Sequence, residues 1–151
     1  MSESFYESVF GVRGKIALLT GGTRGIGLLI AEGLVKAGAK VYVASRKEDA
    51  CRETEAALSA FGDCIAIPAD ISTIEGCEKL ATELEGREQA LNILVNNAGV
   101  TWSEELGQFH EKAWDKVVDV DMKAPFFLTQ SLLPLLRNGA SADNRGSIVN
   151  V

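Results

Sequence analysis

The chain has 151 residues, 24% of them charged and 46% hydrophobic, with a formal net charge of -6 at pH 7. That length suits one domain with a real core, and the composition excludes a disordered polymer. The acidic balance argues against nucleic-acid and anionic-membrane partners, so a phosphate ligand must be held by local donors, and no run approaches the roughly 20 apolar residues of a bilayer span.

The start, Met1-Ser2-Glu3-Ser4, carries neither the basic nor the apolar region of a secretory signal, so a cytoplasmic location is expected. The apolar run Ile16-Ala17-Leu18-Leu19 then predicts a buried strand over 15–20, followed at once by Thr20-Gly21-Gly22-Thr23-Arg24-Gly25-Ile26-Gly27. A strand that ends in a glycine-rich turn and opens a helix is the build of a nucleotide pyrophosphate site. Glycine permits positive φ and close approach to a ligand, while the free N–H groups at the helix start favour phosphate. Steric need alone also places glycine in such turns, so the motif by itself leaves both readings open. No Lys-Ser or Lys-Thr follows the glycines, which sets aside a triphosphate-binding loop.

A helix over 25–37 closes at Gly38, and a strand over 40–45 delivers Ser45-Arg46. A dinucleotide fold presents its sorting residue here. An acid would hold the 2′-hydroxyl of NAD, whereas a hydroxyl and a guanidinium suit the 2′-phosphate of NADP. A solvated arginine at a helix start is the plain alternative, and Arg24 is the second local cation. The missing acid also counts against an S-adenosylmethionine site.

A helix over 48–60, stopped at Gly62, leads to a strand over 63–68 and then Asp70-Ile71. Asp70 is placed either to accept from an adenine amine beside Ile71 or to cap the next helix, over 73–87, which Ser72-Thr73 and Glu75 open. The strand over 91–96 ends in Asn96-Asn97-Ala98-Gly99, at the same sheet edge as the other segments. A helix over 111–137 should kink or stop at Pro125 and Pro134. Its Trp114, Val117, Val118, Met122, Phe126, Leu128 and Leu132 suggest a face packed on the sheet or against a second subunit. A polar loop over 141–146 precedes a final strand over 146–151. Domains seldom end inside a core strand, so one dinucleotide-binding domain over 1–151, incomplete at its C-terminus, is expected.

This alternation describes an α/β fold, a doubly wound parallel sheet of Rossmann type. Cys51, Cys64 and Cys77 are odd in number and lie in separate elements, and His110 is the single histidine. Neither a disulfide framework nor a metal site is supported, and buried bystander thiols are expected.

With Thr-Gly-x-x-x-Gly-x-Gly over 20–27, Asp70-Ile71, and Asn-Asn-Ala-Gly over 96–99, residues 15–151 resemble the N-terminal part of a short-chain dehydrogenase/reductase. The resemblance implies strand order 3-2-1-4-5, with more strands to follow. It implies a cofactor, NADP, whose pyrophosphate side meets Gly21, Thr23, Arg24, Gly25, Ile26 and Gly27. Ser45 and Arg46 would then hold the 2′-phosphate, Asp70 and Ile71 the adenine, and Asn97, Ala98 and Gly99 the ribose neighbourhood. It further implies hydride transfer to a small-molecule carbonyl and a homo-oligomer built through long helices. Segments 60–64, 67–70, 132–137 and 141–142 resemble the β-ketoacyl reductases of rhamnolipid-synthesis type, which suggests a 3-oxoacyl substrate.

Two departures stand out. Asp121 occupies the position of the family's catalytic asparagine, where it serves either that role or a capping one. The family's serine and Tyr-x-x-x-Lys pair are absent, and neither Tyr6 nor Tyr42 has a lysine four residues on. The expectation is an N-terminal fragment of an NADP-dependent carbonyl reductase, inactive alone. The alternative is a non-catalytic nucleotide-binding or interaction protein on a truncated fold.

Overall fold

The structure is a computed structural model that describes residues 10–142 and 144–151. The Met1-Ser2-Glu3-Ser4 start, Tyr6, and Asp143 of the polar loop lie outside the described residues. Five strands, β1 (Ile16–Thr20), β2 (Lys40–Ser45), β3 (Cys64–Pro68), β4 (Ile93–Asn96) and β5 (Ser147–Asn150), form one sheet in the order β3-β2-β1-β4-β5. All four pairings are parallel, and the register Leu18↔Tyr42 and Leu18↔Leu94 sets β1 at the centre. The predicted order 3-2-1-4-5 is therefore the observed one.

Side chains of a strand alternate between its faces, so each central strand feeds two cores. Ala17, Leu19, Val41 and Val43 pack with Ala31 and Val35 of α1 (Gly25–Lys36) and Leu58 of α2 (Glu48–Leu58). Leu18, Tyr42 and Leu94 pack on the other face with Leu80 and Leu84 of α3 (Ile74–Glu85) and with the last helices. On the outer edge of the sheet, Glu55 Oε2 accepts from the Ala66 N–H at 2.7 Å, which blunts a free pairing group of β3.

β4 starts later than 91 because Asn92 diverts its side chain into the ladder. Its Oδ1 accepts from the Ile16 N–H at 2.9 Å, and its Nδ2 donates to the Gly139 carbonyl at 2.7 Å. A Cβ on Gly139 would lie 2.2 Å from the Leu91 carbonyl oxygen, so only glycine permits that approach.

The single helix predicted over 111–137 is divided. It runs as α4 (Glu111–Val118), a π-helical turn (Asp119–Lys123), α5 (Ala124–Ser131) and α6 (Leu133–Asn138). Pro125 and Pro134 each sit in the first turn of a new segment, where a missing N–H costs least. The apolar residues named over this stretch do not make one face. Leu128 and Leu132 are fully buried on the sheet, while Trp114, Met122 and Phe126 are 62%, 69% and 63% exposed. The π turn shifts the helical phase between them. Among the described residues no helix is long and apolar enough to cross a membrane.

Candidate functional site

A cleft of about 370 Å³ opens at the carboxyl ends of β1 to β4. Every residue named above for cofactor binding lines it: Gly21, Thr23, Arg24, Gly25, Ile26, Gly27, Ser45, Arg46, Asp70, Ile71, Asn97, Ala98 and Gly99. Ala44, Ala69, Ser72, Val100 and Val120 also line it. The sequence marks Ser72 only as part of a helix start, and no pattern marks the other four as cleft residues. The two alanines and Val100 flank recognised motifs, and Val120 enters because the π turn rotates it inward.

The glycine turn is shaped by close approach. Gly21 has φ +69 and Gly25 φ +55, and the Gly21 N–H donates to the Ala44 carbonyl at 2.8 Å, tying the turn to the end of β2. A Cβ on Gly27 would stand 2.4 Å from both Asn97 Nδ2 and the Gly21 carbonyl oxygen. Asn97 Nδ2 itself donates to the carbonyls of Thr20 (2.9 Å) and Gly21 (3.2 Å), and the N–H groups of Asn97 and Ala98 both donate to Thr20 Oγ1 at 3.1 Å. The turn and the end of β4 are thus one rigid unit.

Arg24 is the N-cap of α1 and supplies no side-chain cap. The first N–H groups of α1 therefore remain available to an anion at the positive end of the helix dipole. Arg24 and Arg46 are exposed and make no ion pair among the described residues. The Thr23 hydroxyl donates to Ser45 Oγ at 3.1 Å. This donor set, with the glycine cradle, fits a dinucleotide.

Asp70 Oδ1 accepts from the Ser72 N–H at 3.1 Å, while the cap of α3 falls to Thr73, whose Oγ1 accepts from the Gly76 N–H at 3.0 Å. Asp70 therefore shapes the loop and lines the cleft without capping the helix. A Cβ on Gly76 would lie 1.7 Å from the Asp70 carbonyl oxygen, a constraint that a lone helical glycine does not reveal in the sequence. Asp121 Oδ1 accepts from the Val100 N–H at 2.9 Å, so this carboxylate ties the π turn to the segment leaving β4.

The remaining reactive groups are engaged elsewhere. Tyr42 donates to Glu88 Oε1 at 2.6 Å, and Lys40 Nζ lies 2.5 Å from the same oxygen. Burial works to raise the Glu88 pKa, but its bonds to Lys40 and Tyr42 outweigh that and hold it below the ordinary value. All three cysteines are buried and free, and burial pushes the Cys64 and Cys77 thiols up to about 11. His110 Nδ1 accepts from the Ala113 N–H at 3.1 Å and caps α4.

Residues 15–151 match the short chain dehydrogenase family. The chain belongs to that family. Over 142 residues the chain is 46% identical to the rhamnolipids biosynthesis 3-oxoacyl-[acyl-carrier-protein] reductase of Pseudomonas aeruginosa, covering 94% of this chain and 56% of the relative. Its structure superposes on the RhlG/NADP active-site complex of P. aeruginosa with a TM-score of 0.91 at 47% identity, covering 93% of this chain and 55% of that one. A metagenomic short-chain oxidoreductase in complex with NADP gives a TM-score of 0.82 at 32% identity, over 93% of this chain and 62% of that one. The chain spans about half the length of the curated relatives it matches.

Proposed function

We propose that this chain is the cofactor-binding part of an NADP(H)-dependent reductase that acts on a carbonyl of 3-oxoacyl type. The observation that carries the proposal is the end of β2, where Ser45 and Arg46 face the cleft with Arg24 at its rim and no carboxylate takes the sorting position. A hydroxyl and two guanidinium groups favour a 2′-phosphate, which an acidic residue would repel. The likeness to the 3-oxoacyl-[acyl-carrier-protein] reductase of P. aeruginosa and to the RhlG/NADP complex supports both the cofactor and the substrate class.

NADPH, when bound, supplies the hydride for the carbonyl carbon. The part of this chain is to hold and orient. The N–H groups at the start of α1 and the turn of Gly21, Gly25 and Gly27 receive the pyrophosphate. Asp70 and Ile71 flank the adenine, and Asn97 fixes the backbone of Ala98 and Gly99 beside the ribose. Asp121, bonded to the Val100 N–H, acts on loop position.

The serine and Tyr-x-x-x-Lys groups belong, in this proposal, to residues encoded after Val151. The dinucleotide domain of 1–151 is then completed there, and this chain alone binds cofactor without turnover. The half-exposed Ile148 (48%) and Val149 (46%) of β5 support a continuing sheet. The exposed Trp114, Met122 and Phe126 support assembly with a second copy, and the net charge of -6 fits a protein without nucleic-acid partners.

The test is to read the coding frame past Val151 and assay its full product with NADPH on a panel of 3-oxoacyl thioesters and simple ketones. Serine and Tyr-x-x-x-Lys, with faster turnover of the thioesters, are the expected result. A stop codon directly after Val151, or NADPH binding with no ketone reduced by the full product, would favour a nucleotide-binding protein without catalysis.

A further inference from the structure

Ser45 is held at its backbone carbonyl by two donors and at its hydroxyl by one. Its carbonyl accepts from the Ala69 N–H at 2.9 Å, which ties the end of β2 to the exit of β3. The buried Cys51 of α2 donates its S–H to the same carbonyl at 3.5 Å. Its side chain receives the Thr23 hydroxyl proton at 3.1 Å, across the mouth of the cleft from the glycine turn. A hydroxyl has one proton and two acceptor sites. When Ser45 Oγ accepts from Thr23, its own proton is left free for a ligand in the cleft that Thr23, Ser45 and Arg46 line together.

We propose that Thr23 is a positioning residue for cofactor choice, building on the NADP reading above. By donating to Ser45 Oγ, it holds the Ser45 O–H as a ready donor to a phosphate monoester on the adenosine ribose. Thr23 thereby acts on the 2′-phosphate through Ser45. A dianion gains from a donor that is already restrained, because less rotamer freedom is lost on binding. The neutral 2′-hydroxyl of NADH gains little from the same donor. Loss of Thr23 therefore weakens NADPH binding and spares NADH.

The experiment is a fluorescence titration of the purified chain with NADPH and with NADH, for the wild type, Thr23→Val, Thr23→Ser, Ser45→Ala and the Thr23→Val/Ser45→Ala pair. Thermal melts of each variant confirm folding. Thr23→Val should weaken NADPH about fivefold and leave NADH within about twofold, the scale of one net hydrogen bond. Thr23→Ser, which keeps the hydroxyl, should restore NADPH binding. In the double variant the NADPH loss should match that of Ser45→Ala alone. Additive losses, as given by an independent contact of Thr23 with the phosphate, would overturn the proposal, and so would equal losses for both cofactors. A wild-type chain that binds NADPH no better than NADH would instead remove the cofactor reading itself, and this proposal with it.

Discussion

Asn97 donates its side-chain amide to the Thr20 carbonyl at 2.9 Å, so that the end of β4 is bolted to the glycine turn at the end of β1. The second N–H of the same amide reaches the Gly21 carbonyl at 3.2 Å. Both donors are used inside the protein. Asn97 thus shapes the backbone that lines the cleft.

Asn97→Ala should lower stability by about 1–3 kcal/mol, the cost of leaving partly buried carbonyls without donors. Asn97→Asp should be worse, since it turns a carboxylate toward two carbonyl oxygens. Urea melts of the three proteins compare them directly, and Asn97→Asp at or above wild-type stability would argue against the bolt.

Two glycines of α1 should respond in opposite ways to alanine. A Cβ on Gly27 meets Asn97 Nδ2 and the Gly21 carbonyl at 2.4 Å, whereas a Cβ on Gly33 meets nothing within 4 Å. Gly27→Ala should abolish cofactor binding and destabilise the fold. Gly33→Ala should raise stability by about 0.5–1 kcal/mol through helix propensity. Parallel thermal melts and cofactor titrations give both answers.

Cofactor preference should yield to one carboxylate. Ser45→Asp places negative charge where the 2′-phosphate is proposed to sit and offers an acceptor to a 2′-hydroxyl. NADPH affinity should fall at least about tenfold while NADH affinity holds or improves. Unchanged NADPH affinity in this variant would move the phosphate away from β2.

Acid should loosen the Lys40, Tyr42 and Glu88 cluster. The Glu88 pKa is lowered in the fold, burial being outweighed by the bonds from Lys40 and Tyr42. A depressed carboxylate stabilises the native state above its unfolded pKa, and that contribution is lost as pH falls through the folded value. Wild-type stability should therefore decline below pH 4.5, the ordinary value, and Glu88→Gln should flatten that part of the curve. At the other extreme Lys40 is raised, chiefly by its bond to Glu88, so its contribution is present below 10.5 and lost as pH rises through the folded value. Denaturant melts across pH read both limbs.

Much of this arrangement was legible in the chain. Short apolar runs such as Ile16-Ala17-Leu18-Leu19 have few options other than doubly covered strands, and positive-φ positions such as Gly21 and Gly25 must be glycine. The long C-terminal helix was less so. Periodicity counts residues at one fixed pitch, and the π turn at Asp119–Lys123 changes the pitch, turning Val120 into the cleft and Met122 outward. Asp70 stayed ambiguous because a carboxylate beside a helix start suits a cap and a ligand contact equally, until Thr73 proved to be the cap. The Ser45 and Thr23 bond joins residues 22 apart, a distance at which spacing alone carries no contact.

The most direct test of the cofactor assignment is a side-by-side titration of the purified chain with NADPH and NADH at low salt, following nicotinamide fluorescence. NADPH should bind at least about tenfold more tightly, with its advantage shrinking as salt screens Arg24 and Arg46. Equal affinities, or binding of neither cofactor by a folded chain, would contradict the account.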